Sequence, residues 1–159
     1  MLVPLKKLSN FSFGGTAGIV TNMALIIGLE AAKSTRGAII GSLLVVAIAD
    51  NLTDSLSMHI YQESEQREVH YAFFTTVTNF FSRLLTSLTF VMLVALLPMP
   101  TLVYISVAWG ALLLSGLTVM LARERRVPIF PEVSKHVGLA AVVILVARLI
   151  GEWIRAYIS

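Results

Sequence analysis

Two aspartates, Asp50 and Asp54, interrupt a long apolar segment of this sequence. An ionised carboxylate at the centre of a membrane helix costs about 3 kcal/mol on insertion scales, so such residues usually have a functional role there. At helical spacing, Met58 shares their face, and Tyr61 and Glu65 extend that face beyond the apolar segment. Because carboxylate oxygens supply charge and a thioether sulfur favours transition metals, we predict a divalent-metal site on this face.

The same aspartates have an alternative role as counter-ions of two arginines. Arg83 and Arg148 lie in other apolar segments, and the helical rise places them at depths similar to those of Asp54 and Asp50. Because charged side chains inside a membrane need partners, the predicted pairs are Asp54 with Arg83 and Asp50 with Arg148. Pairing and metal binding are compatible, since a proton or a metal that reached an aspartate would release its arginine.

Asn22 lies one helical turn after Gly18 and two turns after Gly14, on the same face of the first apolar segment. Such a face usually packs helices together, because small residues allow their backbones to approach closely. The Asn22 amide is also a candidate to line an ion path, and both interpretations stay open.

An acidic segment follows the aspartates toward residue 70 and contains Glu63 and Glu65. These two carboxylates are candidate metal ligands that would load cations from water. A solvated helix end explains the same composition, so this alternative also stays open.

The composition indicates that these residues are carried by membrane helices. The chain has 159 residues, of which 57% are hydrophobic and 13% are charged, and its mean hydropathy is +0.84. A soluble domain of this size needs more charge to cover its surface. The apolar segments are continuous instead of alternating, which excludes a membrane β-barrel. The chain contains no cysteine, so disulfides and thiolate metal sites are excluded.

The apolar segments predict an all-α membrane protein, a single transmembrane domain over residues 1–159 with five membrane-spanning helices. Each segment has about the 20 residues that a bilayer requires, and the third ends at Pro98, where a helix must stop. The predicted spans are residues 11–29, 38–60, 73–97, 102–121 and 136–156.

The basic residues predict the orientation of these helices. Five spans place seven lysines and arginines on the side of the N-terminus and three on the other side. Since the more basic side faces the cytosol, the N-terminus is predicted to be cytosolic. A re-entrant hairpin in place of spans three and four would leave this orientation unchanged.

Sequence motifs for catalysis are absent. The chain has no glycine-rich phosphate loop, no His-Glu-x-x-His helix and no nucleophile elbow. We therefore expect neither an enzyme nor a nucleic-acid-binding protein, and we predict no cofactor.

Two segments, FSFGGTAGIVTNMALIIGL and ADNLTDSLSMHIYQESEQRE, are followed by three further spans, and this order resembles the vacuolar iron transporter family. The resemblance covers nearly the whole chain. It implies a five-span homodimer whose ion path lies between the protomers and is lined by spans one and two. It also implies export of Fe²⁺ or Mn²⁺ from the cytosol, generally in exchange for protons.

The sequence departs from the family pattern at two positions. The family aspartate of span one falls on Ala17, whereas the family methionine of span two falls on Met58. The glutamate of the family's Gly-Glu-Tyr pattern falls on Gln62, and Glu63 follows it. The loop after Gln62 is also too short for the Glu-rich cytosolic domain of eukaryotic members. Either Asp50 and Asp54 compensate from span two, or the cargo differs.

We therefore expect a divalent-cation transporter of a prokaryotic cell membrane, multi-pass and homodimeric, with Fe²⁺ or Mn²⁺ as its cargo. The predicted metal-site residues are Asp50, Asp54, Met58, Asn22, Glu63 and Glu65, with Arg83 and Arg148 as charge partners. Two alternatives are a membrane scaffold that transports nothing and a transporter of a different ion or small solute.

Overall fold

The structure is a computed structural model that describes the backbone of residues 3–64 and 69–158 and the side chains of residues 15–61, 63–64 and 73–158. Glu65 lies outside the described residues. Within these ranges the chain is helical and contains no strand. The helices are α1 (Val3–Ala31), α2 (Arg36–Val45), α3 (Asn51–Ser64), α4 (Val69–Leu96), α5 (Met99–Arg125) and α6 (Ile129–Tyr157).

A π-helical turn, Val46–Asp50, joins α2 to α3 without a break. These three pieces form one continuous helix over residues 36–64, which we call the α2–α3 rod. Four helical segments of the described chain are long and apolar enough to cross a membrane: Arg36–Tyr61, Phe73–Leu96, Met99–Arg125 and Ile129–Tyr157. A shorter apolar helix, Gly15–Ala31, lies within α1. This architecture fits a multi-pass membrane protein.

Helix α6 begins earlier than the sequence indicates, at Ile129 instead of at about residue 136. Pro128 precedes the first helical residue, and Pro131 lies in the first turn. Backbone N–H groups there have no partner within the helix, so proline is tolerated. Residues that were expected to form a loop therefore begin the helix.

Helix α1 is the centre of the bundle and packs against α4, α5 and α6. Its buried residues Ile19, Met23 and Ile26 form one apolar core with Phe90 of α4 and Leu114 of α5. The core thus connects α2, α4, α5 and α6 to a helix that lies at the beginning of the chain.

The α2–α3 rod lies at the edge of the bundle and packs mainly against α4. The side of the rod away from α4 is exposed and apolar, with Val45, Ile48, Leu52 and Leu56. Arg36 donates through Nη1 to the carbonyl oxygen of Ala95 (3.2 Å) and through Nη2 to that of Leu97 (2.9 Å), at the end of α4. We call the end of the bundle that contains Arg36 the Arg36 side, and the opposite end the Glu63 side.

Helices α1 and α6 cross at small residues. A Cβ atom at Gly28 would lie 3.1 Å from the carbonyl oxygen of Ala147, and one at Gly151 would overlap the carbonyl oxygen of Gly28. Without a hydrophobic drive between helices in lipid, such close backbone contact is a main source of packing energy.

Replacing Gly151 by alanine is expected to destabilise the fold, because the added methyl group overlaps the α1 backbone. Overpacking of this kind costs about 1–3 kcal/mol, although alanine by itself favours a helix. Thermal unfolding of the purified protein in detergent measures the loss. Gly138→Ala in the same helix is the control, since no described atom lies within 4 Å of a Cβ atom there. Equal melting temperatures of the two variants would contradict the close crossing.

Candidate functional site

One buried arginine of α4, Arg83, binds three polar side chains of the α2–α3 rod. Its Nε donates to Asn51 Oδ1 at 2.8 Å, its Nη2 donates to Asp50 Oδ2 at 2.9 Å, and its Nη1 donates to Asp54 Oδ2. Every nitrogen of the guanidinium therefore has an acceptor on the rod. The structure contains the predicted pair of Asp54 with Arg83, and it adds Asp50 and Asn51 to the same cation.

The cluster lies near the middle of the long helices. Asp50 follows Arg36 by fourteen residues, which is about 20 Å at 1.5 Å per residue. Arg83 precedes Ala95 by twelve residues, which is about 18 Å. Because Arg36 binds Ala95, the two helices are in register and bring their charged residues to the same depth.

The π-helical turn places Asn51 in contact with Arg83. The backbone N–H of Asn51 bonds to the carbonyl oxygen of Val46, five residues earlier, as in a π-helix. The side-chain Nδ2 of Asn51 donates to the carbonyl oxygen of Ala47 at 2.7 Å, while its Oδ1 accepts from Arg83. Asn51 is buried and therefore links the irregular turn to the arginine.

The two sides of the charged cluster differ in exposure. The Arg83 side chain is 2% exposed, whereas the side chains of Asp50 and Asp54 are 46% and 44% exposed. The three groups sum to one net negative charge when both aspartates are ionised. The Oδ1 atom of each aspartate forms no hydrogen bond within the described part of the chain. The outer edges of both carboxylates are thus open to a cation from outside the chain.

Buried polar side chains extend the cluster along α4. We call this group the polar seam: Asn22, Ser55, Asn79, Ser82 and Ser87. On the Glu63 side, Asn79 Nδ2 donates to Ser55 Oγ (3.4 Å), and on the Arg36 side, Asn22 Nδ2 donates to Ser87 Oγ (2.9 Å). Asn22 Oδ1, Asn79 Oδ1 and Ser82 Oγ have no partner among the described residues. Since buried polar atoms are nearly always paired, the seam has unused capacity for hydrogen bonds.

The remaining candidate ligands on the rod lie closer to its end. Met58 follows Asp54 by one helical turn and is half-buried. Glu63 is exposed, and its Oε1 lies 3.4 Å from Nε2 of His59, whose Nδ1 lies 3.4 Å from Thr76 Oγ1. Glu63 is nine residues, about 13 Å, beyond Asp54. The structure therefore does not bring Glu63 together with the two aspartates.

The predicted pair of Asp50 with Arg148 is not formed. Arg148 is 64% exposed, and its Nε donates to Glu152 on the next turn of α6 at 2.8 Å. Because α6 begins at Ile129, Arg148 lies nineteen residues, about 28 Å, along the helix and so belongs to the Arg36 side. The predicted depth of Arg148 was wrong because the sequence indicated a start of α6 at about residue 136 instead of at Ile129.

The described side chains alone do not form a complete metal site. No group of three or more histidine, aspartate or glutamate residues among them could hold a metal ion. One chain contributes two adjacent carboxylates that are already bound to Arg83. A cation therefore needs further ligands from outside the described residues, and it must compete with the guanidinium.

Sequence reasoning missed Asn51 and Asn79. Both are amides inside apolar helices, and polar side chains are rare enough in such helices to have indicated them. Comparisons with protein-family models, with curated proteins and with solved structures found no match for this chain.

Replacing Arg83 by glutamine is expected to lower the free energy of unfolding by about 1–3 kcal/mol, because two half-exposed carboxylates then lose their cation. Unfolding in detergent measures the change. Arg148→Gln is the control, since an exposed pair contributes under about 1 kcal/mol. Adding Asp50→Asn and Asp54→Asn to Arg83→Gln should restore part of the loss, and no restoration would refute the electrostatic explanation.

Replacing Asn51 by leucine is expected to cost about 1–3 kcal/mol, because Arg83 loses an acceptor and Ala47 loses a donor inside the bundle. Ser57→Ala is the matched control, since Ser57 is exposed and bonds to Thr53 of its own helix. The same unfolding measurement compares the two variants. A loss no larger than that of the control would show that Asn51 does not link the turn to the arginine.

Proposed function

We propose that this chain is a membrane transporter of divalent transition-metal cations, Fe²⁺ or Mn²⁺, which it moves out of the cytosol in exchange for protons. The cations are cargo and not resident cofactors. The observation that carries the proposal is the pair of half-exposed aspartates bound to one buried arginine near the middle of a long apolar helix. Ionisable groups at this depth typically mark ion and proton pathways.

Competition for the carboxylates gives the site a means of exchange. A metal ion that binds the open Oδ1 edges of Asp50 and Asp54 draws their charge away from Arg83. A proton on either carboxylate has the same effect, since a neutral carboxyl group binds a guanidinium more weakly. Metal, proton and arginine therefore exclude one another at one pair of carboxylates, which is the requirement for coupled exchange.

A second copy of the chain supplies the missing ligands in this proposal. The face of the rod that carries both aspartates is half-exposed, so its open carboxylate edges are accessible to a second chain. Two such faces about a two-fold axis would bring four carboxylates and two Met58 thioethers together, a ligand set suited to Fe²⁺ or Mn²⁺.

Charged residues at the ends of the helices support the direction of transport. Glu63 lies at the end of the rod, where its carboxylate attracts cations toward Asp54. In the proposed five-span topology this end is cytosolic, because most basic residues lie on the same side. We place the protein in a prokaryotic cell membrane as a multi-pass homodimer.

The sequence resemblance to the vacuolar iron transporter family supports the choice of cargo. Ala17 occupies the position of that family's span-one aspartate, and its neighbour Gly18 packs against Arg83, with a Cβ position 3.8 Å from the Arg83 Cα. Asp50 and Asp54 therefore approach the same region from the rod. In this proposal they replace the lost carboxylate.

A second candidate is a membrane scaffold in which the charges only hold helices together. The observation in its favour is that both aspartates already bind Arg83. Such a protein would need no cation, and its carboxylates would stay ionised and paired.

Flux measurements in proteoliposomes distinguish the two functions. We expect the purified protein to move Fe²⁺ or Mn²⁺ and protons in opposite directions. Asp50→Asn and Asp54→Asn should each slow metal flux by about tenfold or more, because each removes a charged ligand. Glu132→Gln is the control, since this carboxylate lies in the first turn of α6 and is paired with Lys135. Absence of metal and proton flux in the unaltered protein would favour the scaffold.

A further inference from the structure

A cavity of about 330 Å³ opens on the Arg36 side, between the end of α1, the start of α5 and the end of α6. Part of its wall is apolar, formed by Ile27, Met99 and Val103. Its polar lining comes from Glu30, Lys33, Tyr104, Arg148, Glu152 and Arg155. None of these residues contacts Arg83 or the aspartates of the rod, so the cavity is separate from the proposed ion site.

The cavity carries more positive than negative charge. Two of its cations have partners: Lys33 lies 3.7 Å from Glu30, and Arg148 bonds to Glu152 at 2.8 Å. Arg155 forms no hydrogen bond to any described residue. Helix α5 begins at the cavity wall whereas α1 and α6 end there, so the helix termini add no net positive charge. The excess positive charge comes from three basic side chains against two carboxylates. The cavity is therefore suited to an anion and unsuited to the cargo of the rod.

Lys33 occupies the position after a helix end at which glycine is the usual residue. Lys33 has a left-handed conformation, with φ at 61°, immediately after α1. The N–H groups of Lys33 and Ser34 bond to the carbonyl oxygens of Glu30 (2.9 Å) and Leu29 (2.9 Å), which is the usual glycine-containing helix end. This backbone conformation is less favourable for lysine than for glycine, and the Lys33 ammonium lines the cavity.

Aromatic residues place the cavity at the level of lipid headgroups. Tyr104 lines the cavity, and Trp153 and Tyr157 lie on the last turns of α6, all three with exposed rings. Tyrosine and tryptophan concentrate at the boundary between the hydrocarbon layer and water. At this boundary the commonest anion is the phosphate of a phospholipid.

We propose that this cavity binds the phosphate group of a phospholipid headgroup. Arg155 and Lys33 bind the phosphate oxygens, and a guanidinium is well shaped for this because it donates two parallel hydrogen bonds. Arg148 stays bound to Glu152, so this pair adds no net charge, and the net positive charge of the site comes from Arg155. The wall formed by Ile27, Met99 and Val103 contacts the apolar part of the same lipid.

Native mass spectrometry of the full-length protein in detergent tests the assignment. With phosphatidylglycerol as the probe, we expect one lipid to be retained per chain. Lys33→Gln combined with Arg155→Gln should weaken retention by about tenfold or more, since two charged hydrogen bonds are lost. Both side chains are at the surface, so the fold should survive, and an unchanged melting temperature without lipid checks this.

A matched control replaces two arginines at the other end of the bundle, Arg123→Gln with Arg125→Gln, and should retain lipid like the unaltered protein. Equal retention by the cavity variant and the control would overturn the proposal. A second series adds phosphatidylethanolamine or inorganic phosphate. Retention of both lipids supports a headgroup phosphate site, whereas displacement of the lipid by millimolar inorganic phosphate would overturn the lipid assignment in favour of a free anion.

Discussion

A buried guanidinium in an apolar bundle needs hydrogen-bond acceptors, and those of Arg83 lie on the α2–α3 rod. The position of the rod is therefore constrained by Arg83. The rod lies at the edge of the bundle, and much of its apolar surface faces away from the other helices. Arg36 fixes one end of the rod to α4, and Arg83 fixes its middle about 20 Å away. Two arginine contacts therefore set both the position and the register of the helix that carries the aspartates.

The bonds that hold the rod in place are also the bonds that the proposed exchange must break. If both carboxylates were fully buried, no cation could reach them, and if Arg83 were exposed, it would not need them. The structure separates these roles by side: the arginine and the polar seam face the interior, while the open carboxylate edges face outward. Asn51 is a third, neutral acceptor of Arg83, so the arginine would retain one acceptor when the aspartates bind something else.

Hydropathy predicted the long apolar helices, and the depth of charged residues predicted the contact of Asp54 with Arg83. The same depth argument failed for Arg148, because the depth was counted from the predicted start of α6. In a sequence, prolines in the first turn of a helix cannot be distinguished from prolines in a loop. Asn51 was missed for a different reason. Asn51 lies beside Asp54 at i, i+3 spacing, and the π-helical turn before it, which no periodicity indicates, changes the direction of Asp50 relative to these two residues. The cavity at Lys33 combines three helix ends and has no signature in any one segment.

The depth of the aspartates has an electrical consequence. A charge midway through a membrane has crossed about half of the transmembrane voltage, and a full crossing is worth about 2.3 kcal/mol per elementary charge at 100 mV. A divalent cation at Asp50 and Asp54 therefore gains or loses about 2.3 kcal/mol per 100 mV in the proposed topology, more than a tenfold change in occupancy. The resting potential of the cell thus changes the occupancy of this site by the cation, in addition to the competition from Arg83 and protons.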